Sequence, residues 1–424
     1  MSVNTARPAS RSRGRNLVGA AIGNLFESYD WQCYLVLSAV IAPQFFPKDD
    51  PVSNLLGVLA IFAVGFVFRP VGGALFGVLA DRYGRRWALS ASMVLMGTGS
   101  LIIGVAPTHT KVGALAPALL LLARALQGMS AGGEFAAASS YVVELAPEGR
   151  RSRFSSSIYV TATAGVVLAA LTFMALRTFL TPQQIGDWGW RIPFLVGALL
   201  AFYGLYLRSG LAETEAFLEQ KPGRRASMIE VLRAHPRACL RVAGLTAGAT
   251  VVFYTFVVYL PSYATRVHKV PQTQATWVMV AALAIFSLSL PLWGVFADRF
   301  GARLSALIFA GGTALVSPVL FGLLDSSWTS LFAVMTVALL LFAGCAAVLP
   351  QLLAEQFPVH IRSVGVGLPY SVSVALFGGT APYVVESLTA AQRGGWFPWY
   401  VSALCLVSLV SLSLWGRQAR DSVA

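Results

Sequence analysis

Long apolar runs recur from one end of the chain to the other, separated by short polar segments. A helix that crosses the roughly 30 Å core of a bilayer needs about 20 predominantly apolar residues, and most of these runs approach or exceed that length. The pattern therefore predicts an all-α membrane protein with about twelve transmembrane helices. The predicted spans are residues 17–43, 52–79, 87–106, 114–144, 154–180, 191–208, 238–264, 274–297, 304–323, 328–355, 364–388 and 397–416.

Two polar motifs each occur twice, in the same order, with their copies about half the chain apart. The segments 144–151 (ELAPEGRR) and 355–362 (EQFPVHIR) share the pattern E-x-x-P-x-x-x-R. Upstream, 77–86 (GVLADRYGRR) is echoed by 294–303 (GVFADRFGAR). Such parallel repeats are typical of transporters that rock one half against the other. We predict two pseudo-symmetric six-helix halves, 1–208 and 237–424, joined by a polar linker at 209–236.

Composition agrees with a membrane location, since 56% of residues are hydrophobic and only 12% charged, against about 25% charged in soluble domains. A net charge of +13 could suggest a nucleic-acid partner. However, most of the 31 Lys and Arg residues fall on one side of the predicted topology. By the positive-inside rule, that side is cytoplasmic and holds both termini. We therefore expect a multi-pass protein of the lipid bilayer and no nucleic-acid partner.

The sequence offers little for chemistry that depends on a metal, a cofactor or ATP. The four cysteines form no C-x-x-C pattern, the four histidines are scattered, and no G-x-x-x-x-G-K-[ST] motif is present. No nucleophile–base pair is evident from spacing, which disfavours a membrane enzyme. A membrane sensor would need a soluble output domain, and no polar stretch is long enough for one. We therefore expect a transporter without a cofactor or metal, and not an enzyme.

Ionisable residues within the predicted spans are the strongest functional candidates, because charge there is costly and usually has a partner or a function. Arg69 in span two and Arg124 in span four lie about 15–20 Å from the ends of their spans. Glu134 lies roughly 15 Å beyond Arg124. Residues at helical spacing in span one share one face: Asn24, Glu27, Asp30 and Tyr34.

Two interpretations of this set remain open. In one, the acids and arginines form fixed ion pairs that hold the first half together. In the other, Arg124 and Arg69 bind an anionic substrate and Glu27 or Asp30 carries a coupling proton, with Glu134 as a further candidate. A substrate that competes with an acid for its arginine would change that acid's proton affinity. Weaker candidates to complete the binding cavity are Tyr34, Gln127, Tyr254 and Tyr370.

The repeated loop motifs lie at the predicted cytoplasmic surface, far from a substrate at mid-membrane, so a structural role is favoured. Their charges can lock helix ends together and separate when the halves rock. Within this latch we expect Glu144 to act with Arg151, and Glu355 with Arg362. The remaining gating candidates are Asp81, Arg82, Arg85, Arg86, Asp298 and Arg299.

The loop motif at 77–86, with its weaker copy at 294–303, resembles the signature of the major facilitator superfamily. Further strings resemble its metabolite:proton symporter branch: GNLFESYD at 23–30, GFVFRP at 65–70, ARALQGMSAGGE at 123–134, WGWRIPF at 188–194 and FGGTAP at 377–382. Within that branch the chain is most similar to bacterial 2-oxoglutarate permeases. That likeness rests on APALLLLAR at 116–124, FYTF at 253–256 and GVGLPY at 365–370.

The resemblance implies a facilitator fold, a bacterial inner-membrane location and proton-driven uptake of a small carboxylate, by a chain expected to be monomeric. The chain departs from the family pattern at Ser28, where an aromatic residue is usual, and at Ala302, where an Arg is expected. Val166 stands where the permeases carry Gln. Citrate, shikimate, proline and betaine therefore stay open as alternative substrates, as does export instead of uptake.

Overall fold

The computed structural model describes residues 10–47, 51–219, 228–381, 384, 388 and 393–414. Twelve long helices account for most of these residues, and they match the twelve predicted spans in order. They are α1 (Ser10–Phe45), α2 (Pro51–Tyr83), α3 (Arg85–Val105), α4 (Leu115–Leu145), α5 (Arg151–Phe179), α6 (Arg191–Ser209), α7 (Pro236–Phe253), α8 (Gln272–Phe300), α9 (Ala302–Gly322), α10 (Trp328–Ala346), α11 (Arg362–Phe377) and α12 (Phe397–Ser413).

The all-α membrane fold predicted from the apolar runs is confirmed. Among the described helices, nine are long and apolar enough to cross a membrane. Helix α7 continues through a π-helical segment, Tyr254–Tyr259, into the helix Leu260–Arg266, and α10 is followed by the short helix Leu349–Ala354. The predicted C-terminal end of span eleven, at residue 388, lies in a stretch that is only partly described. The linker contains the short helices Glu215–Leu218 and Met228–Ala234.

Sharp turns join α2 to α3 and α8 to α9, at equivalent places in the two copies of the loop motif. The turn residues Gly84 and Gly301 have φ of 106° and 102°, in a region that side chains of L-residues rarely allow. Each turn reverses the chain directly after the motif aspartate, Asp81 or Asp298. We call this end of the helix bundle, where both loop motifs lie, the motif end.

The first six and last six helices meet mainly through two helix pairs, α2 with α11 and α5 with α8. Glycines allow backbones to touch in both pairs. A Cβ on Gly77 would lie 2.6 Å from the Cα of Val364, and one on Gly294 would lie 2.9 Å from the Cα of Arg153. Because small residues permit such close approach, the bundle is tightly closed at the motif end.

Candidate functional site

A central cavity of about 120 Å³ lies between the first six and last six helices. Its walls come from α1, α2, α4, α5, α7 with its π-helical extension, and α11. The departures from the family pattern at Ser28 and Val166 both fall on this wall. The lining residues are Asn24, Glu27, Ser28, Trp31, Gln32, Leu35, Phe62, Arg69, Ala131, Phe135, Ile158, Tyr159, Ala162, Val166, Ala249, Thr250, Phe253, Tyr254, Val258, Tyr370 and Val374.

Among the lining residues, Glu27 is the acidic one and Arg69 is the basic, positively charged one. Arg69 Nη2 lies 3.2 Å from Glu27 Oε1, and its guanidinium carbon lies 4.3 Å from the centroid of the Trp31 ring. Arg69 Nε is buried and has no hydrogen-bond partner among the described residues. The cavity therefore presents an arginine whose donor capacity is only partly used.

The position of Arg69 follows from close packing of α2 against α4. Glycines on both helices face the opposite backbone: Gly72 contacts Met129, Gly128 contacts Gly65, and Gly132 contacts Arg69. These contacts leave no space for a Cβ, so the backbones of α2 and α4 touch at the level of Arg69. The long guanidinium side chain can then extend toward α1 and the cavity.

Arg124 lies behind the cavity wall. Its side chain is fully buried and is not part of the lining. Its Nη1 donates to Gln127 Oε1 at 2.7 Å and lies 3.7 Å from Asp30 Oδ2. The guanidinium carbon is 4.0 Å from the Trp31 ring centroid and 4.6 Å from that of Tyr34.

The structure thus divides the sequence-predicted substrate residues into two groups. Arg69, Tyr254 and Tyr370 line the cavity, whereas Arg124, Tyr34 and Gln127 form a buried polar cluster that does not. The similar depth of Arg69 and Arg124 in the membrane is predicted from the sequence. Their separation depends on the indole of Trp31, which contacts both.

The three acids proposed for proton coupling occupy three different environments. Glu27 lines the cavity, and Asp30 belongs to the buried cluster, where it accepts from Ser100 Oγ at 2.6 Å. Glu134 is ion-paired with the fully buried Arg208 and accepts from Ser92 Oγ at 2.6 Å. The sequence placed Arg208 with the charged linker, because it stands at the end of an apolar run, so this pair was missed.

At the motif end, Asp81 accepts hydrogen bonds from the backbone N–H groups of Ser363 and Val364, at 3.1 and 3.0 Å. These groups begin α11, so the carboxylate sits at the positive end of that helix dipole. Arg85 Nη1 lies 3.1 Å from Asp81 Oδ1. Asp81 therefore links α2 directly to the start of α11.

The second loop motif makes the corresponding contact on the other side of the pseudo-symmetric bundle. Asp298 accepts from the backbone N–H of Ser152 at 2.8 Å and from Arg153 Nε at 3.1 Å. Both partners lie in the first turn of α5. Two aspartates at equivalent motif positions thus cap the two helices that begin after the E-x-x-P-x-x-x-R loops.

The pairing that we expected within each E-x-x-P-x-x-x-R motif is wrong for this conformation, because the partners are exchanged between the copies. Glu144 lies 2.9 Å from Arg362 Nη1 and 3.2 Å from Arg85 Nη2, while Glu355 lies 3.2 Å from Arg151 Nη1. The physical reason is that each arginine starts a helix that packs against the opposite six helices. Its side chain therefore meets the glutamate of the other copy.

Three arginines expected to take part in the latch make contacts within the first six or within the last six helices instead. Arg82 lies over the ring of Tyr83, and Arg299 over that of Phe300. Arg86 Nη2 donates to the carbonyl oxygen of Ser209 at 2.6 Å. All three are exposed, and none of these three contacts joins the first six helices to the last six.

Comparison with known proteins places this architecture in a family. A family model described as "Sugar (and other) transporter" matches residues 18–235. The chain is 39% identical over 408 residues to the alpha-ketoglutarate permease of Escherichia coli K12, covering 96% of this chain and 94% of that protein. The chain belongs to the sugar (and other) transporter family, and it has the fold of major facilitator superfamily transporters. Members of this family are membrane transporters, and the chain is a transporter, not an enzyme.

Other similar proteins agree on the family and differ in what their names say they carry. A putative proline/betaine transporter of Staphylococcus haemolyticus is 32% identical over 407 residues, covering 94% of this chain and 87% of that protein. Among solved structures, a proton:xylose symporter of the major facilitator superfamily superposes with a TM-score of 0.81 at 17% identity, covering 96% of both chains. That likeness supports the fold of this facilitator.

Proposed function

We propose that this facilitator is a proton-coupled symporter that takes up a small organic acid, such as 2-oxoglutarate or a related di- or tricarboxylate. It acts as a monomer in the bacterial inner membrane, with both termini and the motif end cytoplasmic. The halves 1–208 and 237–424, joined by the linker 209–236, rock about the central cavity. The observation that carries the proposal is the partly paired Arg69 on the cavity wall.

Arg69 is suited to binding a carboxylate because a guanidinium offers several donors in one plane and can bind two oxygens at once. In the structure its ion-pair partner is Glu27, through a single contact at 3.2 Å. A substrate carboxylate that enters the cavity competes with Glu27 for this guanidinium. Binding of an anion is thereby coupled to the loss of the ion pair between Glu27 and Arg69.

Proton coupling follows from this competition. A buried carboxylate is costly in its ionised form when no cation lies beside it. When the substrate takes Arg69, Glu27 loses its counter-ion, so protonation of Glu27 accompanies substrate binding. After release, Glu27 returns its proton and pairs with Arg69 again, which lets the empty site reorient without a net buried charge.

A second candidate substrate is a zwitterion such as betaine, which the aromatic lining favours. Trp31, Phe62, Phe253 and Tyr254 line the cavity with Arg69. Aromatic faces bind quaternary ammonium groups, and an arginine could bind the carboxylate of the same molecule. The name of the staphylococcal relative is consistent with this alternative.

Purified protein in proteoliposomes tests both candidates. We expect a pH gradient, acidic on the side of substrate addition, to drive accumulation of labelled 2-oxoglutarate, and expect succinate or citrate to compete better than proline or betaine. Preferential competition by betaine would support the zwitterion. If no organic acid is accumulated under a pH gradient, the proposed function is wrong.

Glu27→Gln and Asp30→Asn form a matched pair for the coupling step, since both replace an acid on α1 with its amide. We expect Glu27→Gln to preserve exchange of labelled substrate across the membrane and to abolish accumulation driven by a pH gradient. Asp30 does not line the cavity, so Asp30→Asn should retain pH-driven accumulation. The opposite result would assign the proton to Asp30.

A further inference from the structure

The indole of Trp31 separates two guanidinium groups that differ in access to the cavity. It lies 4.3 Å from the Arg69 guanidinium carbon and 4.0 Å from that of Arg124. Trp31, Phe62 and Arg69 line the cavity, whereas Arg124 lies against the rings of Trp31 and Phe62 and has no exposed surface. The two aromatic rings therefore stand between Arg124 and the cavity.

Arg124 has donor groups that its surroundings do not use. Its Nε and Nη2 are buried and lack hydrogen-bond partners within the described part of the chain. Asp30 Oδ2, 3.7 Å from Arg124 Nη1, is likewise without a hydrogen bond there. A buried donor without a partner is destabilising, because it has lost its hydrogen bonds to water. This arginine is therefore poised to bind an acceptor that reaches it.

A glycine provides room where the indole and Arg124 meet. A Cβ on Gly65 would lie 2.9 Å from Trp31 Cη2 and 3.4 Å from Arg124 Nη2. The wall of α2 at this point is bare backbone, so no side chain of residue 65 fixes the edge of the indole. Trp31 is otherwise held by edge-on contacts with Phe62 and Phe66, with centroid distances of 5.1 and 4.8 Å.

We propose that Trp31 is a specificity-determining partition that sets how many carboxylates of one substrate the site can bind. With the indole in place, a substrate meets only Arg69. When the indole is displaced, a second carboxylate of the same molecule reaches the unused donors of Arg124. A small dicarboxylate can then span both guanidinium groups, which lie within about 8 Å of each other. This inference rests on the proposed carboxylate transport. It adds that Trp31 determines how many carboxylates of the substrate are bound.

Competition in proteoliposomes tests the partition by ligand charge. The probes are butyrate, succinate and tricarballylate, which carry one, two and three carboxyl groups, against uptake of labelled 2-oxoglutarate. Trp31→Phe keeps an aromatic ring at this position and should preserve the wild-type order of inhibition by the three acids. Trp31→Ala should shift the ratio of inhibition constants by about tenfold toward the acids with two and three carboxyl groups. An equal loss of affinity for all three acids in Trp31→Ala would mean that Trp31 only packs the wall, and would overturn the proposal.

A second readout needs no substrate and so separates this inference from the proposed function. Gln127 belongs to the buried cluster behind the partition and does not line the cavity. In a background with the four native cysteines replaced, Gln127→Cys should resist water-soluble thiol reagents when Trp31 is present. It should become reactive in Trp31→Ala, whether or not any organic acid is transported. An unreactive cysteine in the Trp31→Ala protein would overturn the partition.

Gly65→Ala provides the same test without removing the indole. Its Cβ would press on Trp31 Cη2, so the ring must shift while the rest of the aromatic cluster stays. We expect intermediate reactivity at Gln127→Cys and an intermediate shift in the inhibition ratio. This variant decides the question if Trp31→Ala does not fold: an unreactive cysteine and an unchanged ratio in Gly65→Ala would then overturn the proposal.

Discussion

Phe135 of α4 and Tyr370 of α11 stack face to face, with ring centroids 3.8 Å apart and planes inclined by 6°. Both rings line the cavity, and on each helix they are the lining residues nearest the motif end. The stack therefore closes the cavity floor and joins the first six helices to the last six. Beyond it, toward the motif end, α2 and α11 are in backbone contact at Gly73 and Gly367.

We predict that Tyr370→Ala weakens closure at the motif end, whereas Tyr370→Phe preserves it. An aromatic pair contributes about 0.5–1.5 kcal/mol beyond its buried area. We call the conformation in which the helices separate at the motif end the motif-open state, and losing the pair should raise its population up to about tenfold. Spin labels at the exposed positions Arg150 and Phe300 report the separation at this end by electron–electron double resonance. Equal distance distributions in the two variants would show that the stack does not hold the floor.

The crossing of α2 and α11 supplies a second prediction. A Cβ on Gly367 would lie 2.6 Å from the carbonyl oxygen of Gly73 and 2.9 Å from the Cβ of Ala136. Gly367→Ala must therefore push the two helices apart, and we expect transport to fall at least tenfold with a population shift toward the motif-open state.

Gly311→Ala is the matched control, because a Cβ there meets no atom within 4 Å. It lies in α9, and alanine favours a helix by roughly 1 kcal/mol relative to glycine. Transport and the spin-label distances should therefore stay at wild-type values. If Gly311→Ala impairs transport as much as Gly367→Ala, the loss comes from the helices themselves and not from their crossing.

How far the sequence determined the site can be judged from Arg69, Arg124 and Glu134. Helical spacing and span depth were enough to place the first two near mid-membrane, since both depend only on the rise of a helix. Which of them faces the cavity depends on the rotation of α2 and α4 about glycine contacts and on the Trp31 ring. Those are tertiary packing effects that no spacing rule contains.

The fold itself was more predictable, because bilayer thickness dictates the length of the apolar runs. The helix ends were less so: α1 begins at Ser10 and α2 continues to Tyr83, since polar residues extend a helix beyond the apolar core. The ion-pair partners of Glu134 and Glu144 could not be predicted from the sequence either. Arg208 and Arg362 are distant in sequence, and only the packing of the bundle brings them to these acids.

The two capping aspartates should differ in energetic weight despite their equivalent positions. Asp81 and Arg85 have fully buried side chains, whereas the Arg153 partner of Asp298 is 42% exposed. We expect Asp81→Asn to destabilise the protein by about 3–5 kcal/mol, because removing one partner of a buried pair is costly. Asp298→Asn should cost about 0.5–1 kcal/mol.

Thermal unfolding in detergent, followed by tryptophan fluorescence, checks this order. Substrate affinity should stay near the wild-type value in both variants, because neither aspartate lines the cavity. If either variant lost equilibrium binding while remaining folded, the structural role assigned to the loop motif would be wrong. Equal destabilisation by both changes would show that burial of the Asp81 pair has no energetic consequence.

The exchanged pairing of the E-x-x-P-x-x-x-R motifs can be measured by double-mutant cycles. The side chain of Glu144 is buried, and its Oε1 lies 2.9 Å from Arg362 Nη1. Glu144→Gln and Arg362→Gln should therefore be coupled, with an interaction energy of about 1–3 kcal/mol. Glu144→Gln and Arg151→Gln serve as the control cycle. Arg151 pairs instead with Glu355, and both side chains of this pair are largely exposed, at 49% and 36%, so the control coupling should be near zero.

The double-mutant cycle is informative because pairing of Glu144 with Arg362 and pairing of Glu144 with Arg151 imply different transport mechanisms. A pair between Glu144 and Arg362 joins α4 to α11 and must break whenever the motif end opens, so it contributes to the barrier of each transport cycle. A pair between Glu144 and Arg151 would join α4 to α5 and could persist throughout. Accordingly, Arg362→Gln should increase the motif-open population seen by the spin labels, while Arg151→Gln should do so weakly, through its exposed contact with Glu355. Stronger coupling of Glu144 to Arg151 than to Arg362 would instead favour the pairing within one motif.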